Sequence, residues 1–478
     1  MQGYEDFIRE ARRIANVIRD AEHITIFSHI DADGISAGCI ALQTARRLGK
    51  EAELRFLKKL DGENIASVRE TEGLVWMNDM GSGYLSRLEG KEMIIADHHE
   101  PETHIPLVVK DGIASLGDST IHHLNAHLFG IDGGTEISSS GTAYFIAKGA
   151  SEKNVDLSTL ALTGAIGDLQ DSRFGRLVGL NRMILQDAVG AGLVSVTKDA
   201  NFFGKETRPI SRLLEYSVDP PIPGISGNHA AAERLLLALG IDYTRNGEEI
   251  TWSRLSIEEK RRVMSFIVQQ MIASHISPEK INGIVGENYR LVSSSVGLSD
   301  LKEFATLLNA CGRYGKFETA VKLCTESDLS TAEEAKALLE SHRKNISSAL
   351  RLIREVGLGH ANHIYYFHAG DRINDTIIGT IAGILIKSGE VDSGKVIVGF
   401  ASSEGKIKVS ARGSDELLQR GLNLSEALHL AAEHVGGLGG GHDIAAGATI
   451  DVGKEDEFIR ELDKVLDIQL SGGQCVSS

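Results

Sequence analysis

The chain has 478 residues, 42% of them hydrophobic, and its 66 acidic against 50 basic side chains give a formal net charge of -16. At about 100–200 residues per domain, that length allows two to four domains, and the acidity is unusual for a protein that grips a polyanion through a broad basic face, so nucleic acid, if bound, is expected in a local groove. No apolar run reaches the roughly 20 residues that span a bilayer, and the N-terminus has no apolar signal-peptide core. The four cysteines, Cys39, Cys311, Cys324 and Cys475, form no CxxC pair. Such usage argues against a zinc ribbon or a disulfide framework and for a reducing cytoplasm.

Taken in chain order, Phe7, Ala11, Ile14 and Ile18 lie at helical spacing and predict an amphipathic opening helix. His23–His29 reads as a strand and Gly34–Leu48 as the helix after it. Leu74–Asp79 and Glu92–Asp97 are further short apolar runs, each closing on an acid. Helices are expected at Gly141–Lys148 and Leu157–Asp168, so residues 1–193 predict a mostly parallel sheet covered on both faces. Residues 194–347 change character: a turn-rich DPPIPG (219–224) is followed by helical stretches at Ala230–Leu239, Ile257–Ser274 and Thr331–Leu352. This stretch predicts a mainly helical connecting or inserted region. Within 348–478 strands return at His363–Ala369, Lys395–Ser402 and Lys406–Arg412. A helix over Ser425–His434, a Gly-rich segment over Leu438–Ile450 and a last helix over Glu455–Leu466 complete a second, smaller α/β domain. The fold class is therefore α/β, with the active-site cleft expected between the two α/β domains.

His29, Asp31 and Asp33 alternate after an apolar strand, and residues two apart in an extended segment point the same way. Ligand sites in open parallel sheets lie outside the carboxyl ends of the strands, which is where this cluster falls. The competing explanation is an Asp-rich turn that caps the next helix. Asp79 ends a second strand, Asp97, His98 and His99 follow a third, and Asp168 closes an apolar helix. Taken singly, Asp79 and Asp168 are ordinary turn and helix-end residues; the combination is what suggests a metal centre. Carboxylates and imidazoles without thiolates suit Mn²⁺ better than a structural Zn²⁺, and Mg²⁺ rarely takes several histidines.

HIDADG (29–34), NDMGSG (78–83), DHH (97–99) and GAIGD (164–168) resemble, in this order, the four motifs of the DHH phosphoesterase family. That family includes RecJ nucleases, nanoRNA-degrading phosphatases, cyclic-dinucleotide phosphodiesterases and manganese pyrophosphatases. GGLGGGHDIAAG (436–447) is similar to the glycine-rich signature of the DHH-associated C-terminal domain. The resemblance implies two divalent ions, Mn²⁺ first and Mg²⁺ second, held by His29, Asp31, Asp33, Asp79, His98 and Asp168, with Asp79 bridging. It implies catalytic roles for Asp97, which orients the histidines, and for His99, which faces the scissile phosphate. Hydrolysis would then use two metals about 3.5–4 Å apart to activate a bridging water.

Asn125 and His127, in LNAHLFGIDGG (124–134), are candidate phosphate or base contacts, with loop stabilisation as the equal alternative. In the last domain Arg412 offers a bidentate fork, and Gly439, Gly440, Gly441 and His442 offer a backbone nest and a donor. The bland alternative for the glycines is a tight turn. Arg313, in NACGRYGK (309–316), is a further candidate for a basic patch. The helical middle and DPPIPG segment resemble archaeal RecJ-like exonucleases, including those that bind the GINS replication complex. The resemblance thus implies an exonuclease that takes single-stranded DNA or RNA to mononucleotides in replication or repair, with no membrane partner. The alternatives are an oligoribonuclease or cyclic-dinucleotide phosphodiesterase, and a GINS-binding replisome scaffold without catalysis.

Overall fold

The computed structural model describes residues 2–471 except 89, 103–107, 111–112, 117–118, 218–220, 295–296, 327–328 and 389–390. The start of DPPIPG and Cys475 therefore lie outside the described residues. The chain opens with α1 (Gln2–Asp20), whose apolar face is the expected one: Phe7, Ala11, Ile14 and Ile18 are buried, joined by Ala15. Then follow β1 (His23–His29), α2 (Ala32–Arg47), β2 (Glu51–Leu57), α3 (Gly62–Glu70), β3 (Leu74–Asn78) and β4 (Glu92–Asp97). β5 (Val108–Lys110), β6 (Ile113–Leu116) and β7 (Ser119–Asn125) lead to α4 (Ser139–Ala150), α5 (Ser158–Gly167), α6 (Gly179–Gly190) and β8 (Val194–Ala200).

The strands form one sheet in the order β2-β1-β3-β4-β7-β6-β5. β2, β1, β3, β4 and β7 run parallel, while β6 and β5 are antiparallel. Both faces are covered. Ile24, Ile26, Trp76, Ile94 and Leu124 pack into the core with α1, α2, α4 and α5, whereas Phe27, Val75, Met77, Met93 and Ile95 pack on the other face with Ile65 and Val68 of α3. The alternation follows from the two-residue period of a strand, and it explains why these strands read as continuous apolar runs.

After β8 the chain passes through α7 (Ile210–Glu215), α8 (His229–Ala238), a short hairpin of β9 (Thr244–Arg245) and β10 (Glu248–Glu249), α9 (Ile257–Ala273) and α10 (Pro278–Asn282). α9 starts with a reciprocal capping box between Ser256 and Glu259. The chain returns as β11 (Val285–Leu291), antiparallel to β8 with Ala200 opposite Val285. The 208–281 segment is thus inserted at the open end of a two-stranded ribbon, which periodicity did not suggest. α11 (Leu301–Arg313), α12 (Phe317–Thr325) and α13 (Leu329–Val356) follow.

Two compact units result: Met1–Thr207 with Asn282–Leu339, and Arg208–Ile281 with Glu340–Ser478. The stretch 194–347, expected as a single connecting region, is divided between them. The second unit contains β12 (Gly359–His360), β13 (Ile364–Gly370), α14 (Ile378–Lys387), β14 (Val396–Ser403), β15 (Lys406–Arg412), α15 (Asp415–Gln419), α16 (Leu424–His434), β16 (Leu438–Gly441), β17 (Ala445–Ile450) and α17 (Glu455–Ser471). Its sheet has the order β12-β13-β14-β15-β17-β16, with only β13 and β14 parallel. Val398, Phe400 and Val409 face α16 and α17, and Ile397 and Ala401 share a core with α14.

Candidate metal centre

The register of the first sheet aligns four strand ends. Ser28 of β1 pairs with Asn78 of β3, Asn78 with Ala96 of β4, and Asp97 with Asn125 of β7. His29, Asp79, the Asp97–His99 run and Asn125 therefore stand along one carboxyl edge. β2 flanks β1 on one side and β3 on the other, so the chain reverses its direction of travel across the sheet here. Such a switch point is where α/β sheets open a crevice.

Two groups of potential ligand atoms gather there, each within 4.8 Å: His29, Asp31 and Asp79, and Asp79, His98 and His99. Asp79 belongs to both. Its Oδ2 lies 3.3 Å from His29 Nδ1, and its Oδ1 lies 3.5 Å from His98 Nε2 and 3.8 Å from His99 Nδ1. Ser139 Oγ donates to Oδ1 at 3.0 Å, while the buried Oδ2 has no hydrogen-bonding partner among the described residues. Asp79 also has φ +60°, a left-handed conformation uncommon outside glycine that concentrates at functional sites.

Extended alternation does not bring Asp31 and Asp33 in, contrary to expectation. Strand geometry ends at His29; Asp31 is the N-cap of α2, accepting from Gly34 N, and Asp33 lies in the helix's first turn. Asp31 thus caps the helix with Oδ1 at 2.9 Å and turns Oδ2 to His29 Nδ1 at 3.0 Å. Asp33 is buried with its oxygens on the N–H groups of Ser139 (2.7 Å) and Ser140 (3.0 Å) at the N-terminus of α4, where the helix dipole favours an anion. A Cβ on Gly164 would run into Asp33 Oδ1 and Ser140 Oγ, so the glycine lets α5 approach this carboxylate closely.

α11 closes over the same loop. Asn309 Oδ1 accepts from Ala32 N at 2.9 Å, and a Cβ on Gly312 would overlap the carbonyl of Ile30. Arg313 at the end of α11 feels the charge of Asp31.

Asp97 points inward. Its Oδ1 accepts from His98 N (2.8 Å), His99 N (3.2 Å) and His99 Nδ1 (2.8 Å), and its Oδ2 accepts from Ser82 N (3.0 Å). Although burial opposes charge on His99, the Asp97 carboxylate raises its pKa to about 9, making it a cation at neutral pH. His98 Nδ1 donates to Gly133 O at 2.7 Å, which leaves Nε2 facing Asp79. Asp168 lies at the end of α5, with Oδ2 3.8 Å from His98 Nδ1.

The cluster fits divalent cations on its own electrostatics. Burial, reinforced by Asp79 and Asp168, pushes Asp33 up to about 7; burial, with Asp79 and Asp31 adding to it and His98 opposing, pushes Asp168 up to about 6. Carboxylates that repel each other in this way are relieved by a bound cation, which inverts the local pKa logic. The oxygen and imidazole donor set is of the kind such an ion uses.

The expected substrate contacts divide. Asn125 is buried and fully engaged, donating to Ser82 Oγ (2.9 Å) and His99 O (2.7 Å) and accepting from His127 N (2.9 Å). His127 Nε2 donates to His98 O at 3.1 Å. Both hold the His98–His99 loop in this structure. In the second unit, Gly439, Gly440 and Gly441 form the strand β16 rather than a nest or a tight turn, paired with β17. A Cβ on Gly439 would meet the Leu428 carbonyl and one on Gly441 the β17 backbone, whereas Gly440 faces open space. Arg412 donates from Nη1 to the Ala411 carbonyl at 2.8 Å, and His442 follows β16 on the exposed surface. Sequence reasoning missed Ser139, Ser140 and Gln170. A run of serines leading into a helix, with Ser138 as its N-cap, is a signature that could have flagged the first two; Gln170 had no such signal.

Two segments of the chain match known family domains. Residues 202–285 match the DHH-CID domain and residues 361–467 the DHHA1 domain. An uncharacterized protein of Methanocaldococcus jannaschii is 31% identical over 476 residues, covering 97% of this chain and 99% of that protein. The fold is similar to RecJ in complex with Mn²⁺ from Thermus thermophilus (TM-score 0.58, 17% identity), covering 97% of this chain and 55% of that one. This chain therefore spans about half the length of that RecJ. It is also similar in fold to CDC45 from Entamoeba histolytica (TM-score 0.62, 12% identity), with 97% of both chains covered. The chain belongs to the DHH family, whose members are metal-dependent hydrolases; its likeness to RecJ and CDC45 is one of fold. Among the described residues, no helix is long and apolar enough to cross a membrane.

Proposed function

We propose that this protein is a metal-dependent phosphodiesterase, acting as a RecJ-like exonuclease that hydrolyses single-stranded DNA or RNA to mononucleotides. The observation that carries the reading is Asp79, which turns one carboxylate oxygen toward each of two ligand groups. His29, Asp31 and Asp33 would hold the two divalent ions together with His98 and Asp168, with Asp79 shared between the two groups. Such ions, Mn²⁺ foremost, supply Lewis-acid polarisation of a phosphoryl group and acidification of water.

The protein's own groups do the rest. His99, kept cationic by Asp97, donates to a non-bridging phosphate oxygen as charge develops there. Asn125 and His127 fix the backbone of the His98–His99 loop, so the donor arrives preorganised. Residues 1–193 are assigned the catalytic role and 348–478 a substrate-binding role through Arg412, Gly440 and His442. A function in replication or repair and a GINS-like partner belong to the same proposal and rest on the family resemblance alone.

The test is hydrolysis of single-stranded DNA and RNA, labelled at either end, with and without Mn²⁺. Stepwise release of mononucleotides from one end supports the exonuclease and gives its direction. Cleavage confined to dinucleotides or cyclic dinucleotides moves the protein to small substrates, the direction its net charge of -16 favours. Absence of Mn²⁺-dependent cleavage on all of them sinks the enzymatic reading and leaves a scaffold.

A further inference from the structure

Gln170, two residues past Asp168, is 1% exposed and joins two parts of the site that lie far apart in sequence. Its Nε2 shares its two hydrogens among Asp168 Oδ2 (3.0 Å), Gly133 O (2.8 Å) and Ile137 O (3.1 Å), and lies 3.4 Å from His98 Nδ1. Gly133 O is also the acceptor for His98 Nδ1, at 2.7 Å. On the other end of the amide, Oε1 accepts from Asn181 Nδ2 at 2.6 Å. A flipped amide would set an oxygen against three oxygens and an NH₂ against an NH₂, so the network determines the orientation.

The turn that carries Gln170 is anchored on both sides and strained between them. Leu169, about half exposed, has φ +59°, a costly conformation for a bulky residue. Asp171, buried beyond it, pairs with Lys302 Nζ of α11 at 2.9 Å.

We propose that Gln170 is a positioning residue that ties Asp168 Oδ2 to the Gly133 carbonyl on which His98 Nδ1 rests, and so holds both prospective ligands in place with His98 Nε2 toward Asp79. The inference builds on the metal-centre reading above and extends it from the ligands to the residue that orients them. An outer partner that orients a metal ligand is worth about 10–100-fold in metal affinity.

Two measurements on the full-length Gln170→Leu variant test it. Electron paramagnetic resonance titration with Mn²⁺ alone should show one ion bound about 10–100-fold more weakly than in the wild type. On the metal-free protein, the His98 Nδ1–H proton, held on the Gly133 carbonyl, should exchange with water faster in the variant than in the wild type. A folded variant with wild-type Mn²⁺ affinity and unchanged exchange of the His98 Nδ1–H overturns the proposal. If the wild type binds no Mn²⁺, the metal reading fails, but the exchange rate of the His98 Nδ1–H still decides the role of Gln170. Should Gln170→Leu not fold, Asn181→Leu keeps the glutamine and removes its Oε1 partner. A shift in the same direction is then expected, and no shift in either readout counts against the inference.

Discussion

Asp79 carries more than charge. A non-glycine residue at φ +60° is held there by its surroundings, here by its N–H on the Ala96 carbonyl and by Ser139 Oγ on its carboxylate. Asparagine tolerates the same backbone conformation, so Asp79→Asn should leave the fold intact while removing the negative charge that both ligand groups share. Its loss of Mn²⁺ affinity should exceed the about 10–100-fold that an outer partner is worth, and Mn²⁺-dependent hydrolysis should disappear. Thermal melting of the metal-free variant alongside a Mn²⁺ titration checks both halves. Wild-type Mn²⁺ binding by the variant would dismiss Asp79 as a shared ligand.

Among the elements, β16 shows how a glycine run can mislead. As a motif, GGG suggests a loop built to approach a phosphate, yet it forms an edge strand whose glycines have different causes. Gly439 lies so close to α16 that a Cβ would meet the Leu428 carbonyl, while Gly440 has open space above it. Gly439→Ala should therefore cost about 1–3 kcal/mol by overpacking, read as a lower urea midpoint. Gly440→Ala should leave the midpoint within about 0.5 kcal/mol. If Gly440 contacts substrate as proposed, its variant should instead raise KM on oligonucleotides. Equal midpoints for the two variants would mean that helix packing does not explain Gly439.

For the whole molecule, the useful fact is where the chain leaves and re-enters the first unit. Asn201 N donates to Ile284 O at 2.8 Å, so 208–281 departs from the open end of the β8–β11 ribbon. Every prospective metal ligand lies in the first unit. Replacing 208–281 by a short turn should therefore preserve Mn²⁺ binding, whatever it does to substrate or partner engagement; loss of Mn²⁺ binding in a folded variant would show that the inserted segment supports the site. Conversely, Arg412 belongs to the second unit. Arg412→Ala should raise KM several-fold without changing Mn²⁺ stoichiometry, and a change in stoichiometry would refute the division of labour.

What the sequence determined by itself was local and periodic. Apolar runs ending in Asp79 and Asp97 became adjacent parallel strands because alternating residues fill both faces of a covered sheet. His29, Asp31, Asp79, His98 and His99 could be picked out because each is a polar residue at the end of an apolar element. Other features depended on partners distant in sequence. Asp33 is caged by the N-terminus of α4, Asn309 holds the Ala32 N–H across 277 residues, and Gln170 is tied to the His98 shell through Gly133. A glutamine in a turn carries no pattern, and neither does the pairing of β8 with β11 across the insertion. Hydrogen bonds of that kind form only once long-range packing has brought their groups together, so only the tertiary structure could decide them.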